Sequence, residues 1–215
     1  MTTLVSPERA RTLYAENDSA HGFDHVMRVW RMALRIGEAE RAQLEIVSAA
    51  ALLHDLGRAA ERETGECHAA IGARMAKDVL RDQQAGTVDA VARAIAQHRF
   101  RAESHPDTLE ARVLYDADKL DAIGAIGIAR AYAVAGAEKQ RLWGKVEDGF
   151  ADRRAKDGLD DLNSSQHTPV HEFRFKLAKL KDGMYTETGA RIAIDRHQYM
   201  CDYFDRLEAE IAGDI

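Results

Sequence analysis

Apolar positions along this chain recur at intervals of three and four residues and never convincingly at intervals of two. Val26, Val29, Trp30, Ala33, Leu34 and Ile36 form one such series, and Leu44, Val47 and Ala51 begin another that runs to His54. That spacing lays an apolar stripe along one face of a helix. Further series predict helices over about 69–81, 87–98, 109–135, 173–184 and 188–211. Thr87, followed by Val88, Asp89 and Ala90, reads as a helix start, with Gly86 closing the segment before it. The expected fold class is therefore all-α. Between about 144 and 170 the chain turns polar and loses its period, as in "KDGLDDLNSSQHTP", which predicts a long loop or flap. No internal repeat interrupts the pattern. A chain of 215 residues can bury one core, so a single domain over 1–215 is expected, with a helical extension over about 171–213 packed on it.

Composition narrows the classes without naming one. Hydrophobic residues at 46% and charged residues at 31% are ordinary globular usage, which argues against disorder. No apolar run approaches the length of a membrane span. The opening "MTTLVSPERARTLYAEND" lacks a basic region followed by an apolar stretch, so a cytoplasmic location and no membrane partner are expected. Cys67 and Cys201 are too few for a disulfide framework and form no paired-cysteine metal pattern. The formal net charge of -6 disfavours a nucleic-acid scaffold as partner, whereas a small anionic substrate needs only local positive charge.

The segment "AALLHDLGR", residues 50–58, raises the question of chemistry. Chance gives roughly one or two His residues followed directly by an acid in a chain of this composition, and two occur, at His54 and His171. The pair itself carries nothing; its context does. His54 and Asp55 end an apolar helix, where burying both without partners would cost several kcal/mol. A metal is one partner, and exposure of a helix end to water is the alternative. Two further segments present the same kind of side chain in an apolar surround. "HGFDHVMRVW" offers His25 at a helix start, and "LYDADKLDAIGAIGIARAY" offers Asp118 among Leu114, Ile123 and Ile126. Carboxylates are seldom fully buried unless paired or coordinating.

These residues resemble the pattern of the HD-domain superfamily of metal-dependent phosphohydrolases: a His, then His-Asp, then a distant Asp, here His25, His54, Asp55 and Asp118. "HDLGR", "HAAIGARMA", "IAQHRF", "DADKLDAIGAIGIAR" and "KLKDGMYTETGARIA" extend the likeness over nearly the whole chain, toward one bacterial subgroup. The resemblance implies an HD-type helical bundle. It also implies hydrolysis of a nucleoside or deoxynucleoside triphosphate to monophosphate and pyrophosphate. Independently of the family, two imidazoles and two carboxylates leave open positions on a six-coordinate divalent ion. Mn²⁺ is favoured, and the set also admits Mg²⁺, Fe²⁺, Co²⁺ or Ni²⁺. Such an ion acidifies water and polarises a phosphoryl oxygen.

Other residues carry two readings each. His68 and His98 stand at edges of apolar helices and are ligands of a second ion in HD proteins that have one, or packed core histidines. Arg99 and Arg101 beside His98 have the charge to meet phosphate. Arg28, Arg58 and Lys119 lie within a turn of the proposed ligands, where a phosphate chain would sit, or else pair with Asp24 or Asp121. They are carried forward with Asp55 as the catalytic set. Glu61 and Glu63 are proton-donor candidates or solvated helix-end residues, and no general base is named. Lys176 and Lys179 share a helical face as an anion clamp or as solvated charge. Gly124 and Gly127 are read as close-packing positions within one long helix. The rival functions are a nucleoside monophosphate phosphatase, a cyclic-nucleotide phosphodiesterase, a di-iron oxygenase and a non-catalytic nucleotide sensor. A nucleotide is the expected partner, and a homodimer is compatible with the chain.

Overall fold

The structure, a computed structural model, describes residues 3–14, 22–99, 105–147 and 167–215. Among them every regular element is a helix. The chain divides into two compact units, Met1–Asp118 with Met184–Gly189, and Lys119–Gly183 with Ala190–Ile215.

The first unit holds α1 (Pro7–Arg11), α2 (Phe23–Glu40), α3 (Leu44–Leu53), α4 (Arg58–Thr64), α5 (His68–Val79), α6 (Ala85–Ala96) and most of α7 (Leu109–Leu120). The helix α3 is apolar apart from Glu45 and Ser48, with Ile46, Val47, Ala49, Ala50, Ala51, Leu52 and Leu53 buried, and so lies at the centre of the unit. It packs against α2 and α6, and α5 packs against α6. Gly37 allows the α2 approach, because a Cβ there would stand 2.9 Å from Leu44 Cδ2. Trp30 donates its indole N–H to the Ser48 hydroxyl at 2.8 Å, satisfying a polar atom within that seam.

The end of α3 is tied down carbonyl by carbonyl. A helix leaves its last C=O groups without partners inside the helix. Here Ala51 C=O faces His54 Nδ1 at 2.8 Å, Leu52 C=O accepts the Tyr14 hydroxyl at 2.9 Å, and Leu53 C=O accepts the Leu56 N–H at 3.3 Å. Gly57 follows with φ of -76, an ordinary helical value. A side chain is excluded there by contact, since a Cβ would stand 2.2 Å from the His68 carbonyl oxygen and 2.8 Å from the Gly72 nitrogen. This glycine therefore brings the turn after Asp55 flush against the first turn of α5.

The second unit holds α8 (Gly124–Ala137), α9 (Pro169–Phe175), a 3₁₀ helix (Leu177–Gly183) and most of α10 (Glu187–Ala212). The helix expected over 109–135 is in fact α7 and α8, separated by a turn closed by the Ala122 N–H on the Lys119 carbonyl. Gly124 takes φ of 77, which favours glycine, and the Ala122 carbonyl oxygen fills the space a Cβ on Gly127 would need, 2.3 Å away. The helix expected over 173–184 begins earlier, with Pro169 in its first turn, and breaks at Lys176, whose φ of -126 leaves helical geometry. Tighter 3₁₀ turns follow. The helix expected from Thr87 starts at Ala85, so Gly86 sits in its first turn. Of the expected 144–170 flap, residues 148–166 lie outside the described residues.

The first unit is closed by the start of α10. Asp116, fully buried on α7, accepts the backbone N–H groups of Tyr185 and Thr186 at 2.9 and 2.7 Å and the Thr186 hydroxyl at 2.6 Å. Thr186 Oγ1 in turn accepts the Gly189 N–H at 3.0 Å, a helix N-cap, and Glu40 accepts the Thr188 N–H at 2.8 Å. Two carboxylates thus meet the positive end of the helix dipole.

Candidate metal centre

Three helices of the first unit bring the sequence-selected residues together. His25 lies in the first turn of α2, His54 and Asp55 at the end of α3, and Asp118 near the end of α7. All four are buried, at 2%, 0%, 2% and 8% exposure. His25 Nε2 stands 3.3 Å from His54 Nε2, 3.6 Å from Asp55 Oδ2 and 3.4 Å from Asp118 Oδ1. His54 Nε2 stands 3.6 Å from Asp55 Oδ2 and 4.0 Å from Asp118 Oδ1. Neighbouring ligands about 2.1 Å from an octahedral ion lie about 3 Å apart, so these four atoms need close only slightly on a small divalent cation.

A second triad shares Asp55. Its Oδ1 faces His68 Nε2 and His98 Nε2, each at 3.7 Å. Asp55, His68 and His98 therefore form a second buried cluster of ligand geometry beside His25, His54 and Asp55. The four imidazoles run as a row, with centroid separations of 5.3 Å between His25 and His54, 5.2 Å between His54 and His98, and 5.2 Å between His98 and His68.

The tautomers follow from what each Nδ1 touches. His54 Nδ1 faces the Ala51 carbonyl at 2.8 Å and His98 Nδ1 the Ile95 carbonyl at 2.6 Å. His68 Nδ1 faces Glu61 Oε2 at 2.9 Å. Carbonyl and carboxylate oxygens only accept, so each Nδ1 donates, and Nε2 of each neutral ring carries a lone pair turned toward Asp55. Burial holds both His54 and His68 near a pKa of about 4, well below the imidazole norm, and so neutral at physiological pH. Burial pushes the Asp55 carboxyl up, but His54, His98 and Arg58 more than reverse this and leave it well below the carboxylate norm.

An ionised carboxylate that faces His54, His68 and His98 through their Nε2 atoms is short of donors. Asp55 Oδ2 and His98 Nε2 are indeed buried without a hydrogen-bond partner. Such atoms cost about 1–3 kcal/mol each, and more for a charged group, unless something positive fills the space. The donor set, its mutual distances and these two orphaned atoms fit a divalent cation. Carboxylate and carbonyl partners on the far ring nitrogens are also what aligns metal-binding histidines.

The basic residues take different positions. Arg58, the first residue of α4, donates Nε–H to Asp55 Oδ1 at 2.9 Å and lies 3.7 Å from Glu61, with its side chain a third exposed. Its partners are thus Asp55 and Glu61, and Asp121 pairs with Arg130 at 2.9 Å. Arg28 is half-buried one turn along α2 from His25, and Lys119 is half-buried at the start of the second unit. Arg99 lies 3.5 Å from Glu61, while Arg101 is outside the described residues. Glu61 and Glu63 separate clearly. Glu61 accepts both Nδ1–H and backbone N–H of His68, and Glu63 is exposed. Lys176 pairs with Glu172 at 2.9 Å, and Lys179 lies 5.8 Å over the Phe175 ring.

Sequence reasoning missed two contributors. Tyr14 follows the short α1, whose start was marked by Ser6 as N-cap and Pro7 behind it, the signal of a helix N-terminus. Cys67, set aside as a lone thiol, has its ligand atom within reach of Glu61 and His68. Its adjacency to His68 was the only mark it left in the sequence.

Among the described residues no single helix is long and apolar enough to cross a membrane. A family model for the HD domain matches residues 22–123, which include all six histidines and aspartates of the two clusters. The uncharacterized protein YpgQ of Bacillus subtilis is 33% identical, the alignment covering 99% of this chain and 97% of that protein. Its structure in complex with ADP superposes with a TM-score of 0.70 at 31% identity, covering 95% of this chain and 94% of YpgQ. A predicted HD superfamily hydrolase from an uncultured Thermotogales bacterium gives a TM-score of 0.66 at 28% identity, covering 95% and 90% of the two chains. Ribonuclease Y of Chloroflexus aurantiacus is 27% identical over 93% of this chain, which spans only 39% of that enzyme.

Proposed function

The chain belongs to the HD-domain superfamily and is a metal-dependent phosphohydrolase, and from that premise we propose that it hydrolyses nucleoside or deoxynucleoside triphosphates to monophosphate and pyrophosphate. In this reading His25, His54, Asp55 and Asp118 hold the primary ion, with Mn²⁺ favoured by a mixed nitrogen and oxygen set. His68 and His98 are the ligands in reserve for a second. The observation that carries the site is the buried Asp55 carboxylate, which has an oxygen without a hydrogen-bond partner turned toward His25 and His54. The nucleotide is supported by YpgQ, a relative along its whole length whose structure holds ADP.

When bound, a divalent ion supplies Lewis-acid charge to a phosphoryl oxygen and acidifies water. The protein's own part is orientation. Ala51, Ile95 and Glu61 fix the rings of His54, His98 and His68 with Nε2 inward, so these three rings are set for a ligand before it arrives. Arg58, with a third of its side chain in solvent, and Arg28, one turn along α2 from His25, are assigned to the anionic phosphates. Lys119, next to Asp118, has the same assignment.

A panel of nucleotides incubated with Mn²⁺, Mg²⁺ and Co²⁺ tests the proposal. Pyrophosphate and a monophosphate are expected as products, with Asp55→Ala inactive yet fully helical. Inorganic phosphate as the sole product would instead identify a monophosphate phosphatase. The partial relation to ribonuclease Y favours phosphodiester cleavage as the second reading, which product analysis on a cyclic nucleotide decides. Hydrolase relatives leave the oxygenase and sensor readings without support.

A further inference from the structure

The two oxygens of Asp55 keep different company. Oδ2 looks toward His25 and His54 and accepts no hydrogen bond. Oδ1 looks toward His68 and His98 but also accepts the Arg58 Nε–H at 2.9 Å. A positive charge therefore already stands on the side where the second cluster would receive its ion. That charge is held from behind. Arg58 Nη1 lies 3.7 Å from Glu61 Oε2, and the same Glu61 oxygen accepts His68 Nδ1–H at 2.9 Å, so Asp55, Arg58, Glu61 and His68 close a ring. The ring is incomplete as a substitute for a metal, because His98 Nε2, on a side chain 1% exposed, still has no partner.

We propose that Arg58 is an internal cation that takes the place of a second metal ion at Asp55 Oδ1. As folded, the protein then binds one ion on the Oδ2 side and admits a second, at Asp55, His68 and His98, only when Arg58 withdraws. The inference rests on the metal-centre reading above and concerns which side of Asp55 is open. Two cations cannot share one carboxylate oxygen without strong mutual repulsion in a buried site. The Arg58 side chain is 33% exposed, so withdrawal leads toward solvent and not into the core. Phosphate approaching from that side would offer the guanidinium a competing two-pronged partner.

The test is a Mn²⁺ titration by calorimetry of the chelator-stripped full chain, with an electron paramagnetic resonance spectrum at each end point. Wild type is expected to bind one ion per chain with an isolated-ion spectrum. Arg58→Met, which keeps the length and removes the charge, is expected to bind two, the second roughly 10- to 100-fold tighter than any second ion in wild type. Its spectrum should become that of an exchange-coupled pair, and the added His98→Ala change should return the count to one. Arg58→Gln provides the same readout if methionine at the first position of α4 unfolds the chain. Unchanged single-ion binding in both Arg58 variants overturns the proposal and leaves the primary site standing, as does a wild type that binds two ions equally well. A wild type that binds none removes the metal-centre reading itself, and the proposal with it.

Discussion

Asp55 and Asp116 are both buried carboxylates of the first unit, at 2% and 0% exposure, and their surroundings are opposite in kind. Asp116 receives three donors, two from backbone N–H groups and one from a hydroxyl. Asp55 faces His54, His68 and His98, whose Nδ1–H groups are committed elsewhere, and one of its oxygens accepts no hydrogen bond. Their acidities shift in opposite directions. Burial, with Glu40 adding to it, raises the Asp116 carboxyl although its donors oppose the rise. At Asp55 burial acts the same way, but His54, His98 and Arg58 overcome it. A carboxylate met by donors fastens the fold, whereas one met by lone pairs calls for a cation. Burial alone does not tell the two apart.

The contrast can be broken at either end. Asp55→Ala is expected to lower nucleotide hydrolysis by roughly 10³- to 10⁴-fold, the scale on which loss of one catalytic member acts. Its thermal midpoint in chelator should stay close to that of wild type, because few donors are left unpaired. Its midpoint should also no longer rise with Mn²⁺, whereas saturating metal stabilises a competent site by about 2.7 kcal/mol at 100 times Kd. Asp116→Ala should behave in the reverse sense. Three donors lose their acceptor, so urea unfolding should show a loss of about 2–4 kcal/mol, while the Mn²⁺ affinity of the folded protein is retained. A large loss of metal affinity in Asp116→Ala, with stability intact, would undo the distinction.

A smaller effect is expected from Tyr14→Phe. It removes one hydrogen bond to the Leu52 carbonyl, two residues before His54. Urea unfolding should record a loss of about 1 kcal/mol, and Mn²⁺ titration a weakening of a few fold. Unchanged values in both would show that the end of α3 does not need this tether.

The smallest effect belongs to the second unit. Burial pushes the Glu172 carboxyl up, but His167 and Lys176 outweigh it and hold its pKa at about 2 against an ordinary 4.5. A depressed carboxylate stabilises the fold above its ordinary pKa, and the stabilisation is lost as pH falls from about 4.5 toward about 2. Lys176→Met should move the Glu172 titration, followed by NMR, toward the ordinary value and shift the acid-unfolding midpoint to higher pH. Metal binding in the first unit should not follow it.

The legible parts of the sequence were those written in period and residue type. Helical spacing marked α2, α3, α5 and α6 to within a few residues, and His25, His54, Asp55 and Asp118 stood out as ligand types inside apolar series. What stayed hidden depends on contacts between distant segments. Nothing local distinguishes Glu61 from Glu63, yet only Glu61 meets His68, seven residues further on. Gly57 stands in a turn, and the close approach of α5 backbone that excludes a side chain there comes from residues eleven and more positions further on. The break between α7 and α8 was masked because apolar residues continue through it, while the positive φ of Gly124 is a property of the folded backbone. Arg58, read as a phosphate contact or as a partner of Asp24 or Asp121, pairs with Asp55, which three-residue spacing permits but does not require.

The most direct test is calorimetric Mn²⁺ titration of the chelator-stripped chain beside Asp118→Ala, each checked for retained helicity. Of the helices that supply the four residues, α7 with Asp118 is the farthest in sequence from the His-Asp pair, so its contribution depends on the convergence of α2, α3 and α7 at one point. Saturable binding of one ion by wild type, weakened at least tenfold in Asp118→Ala, is the predicted result. Equal binding by both, or no saturable binding by wild type, would contradict it.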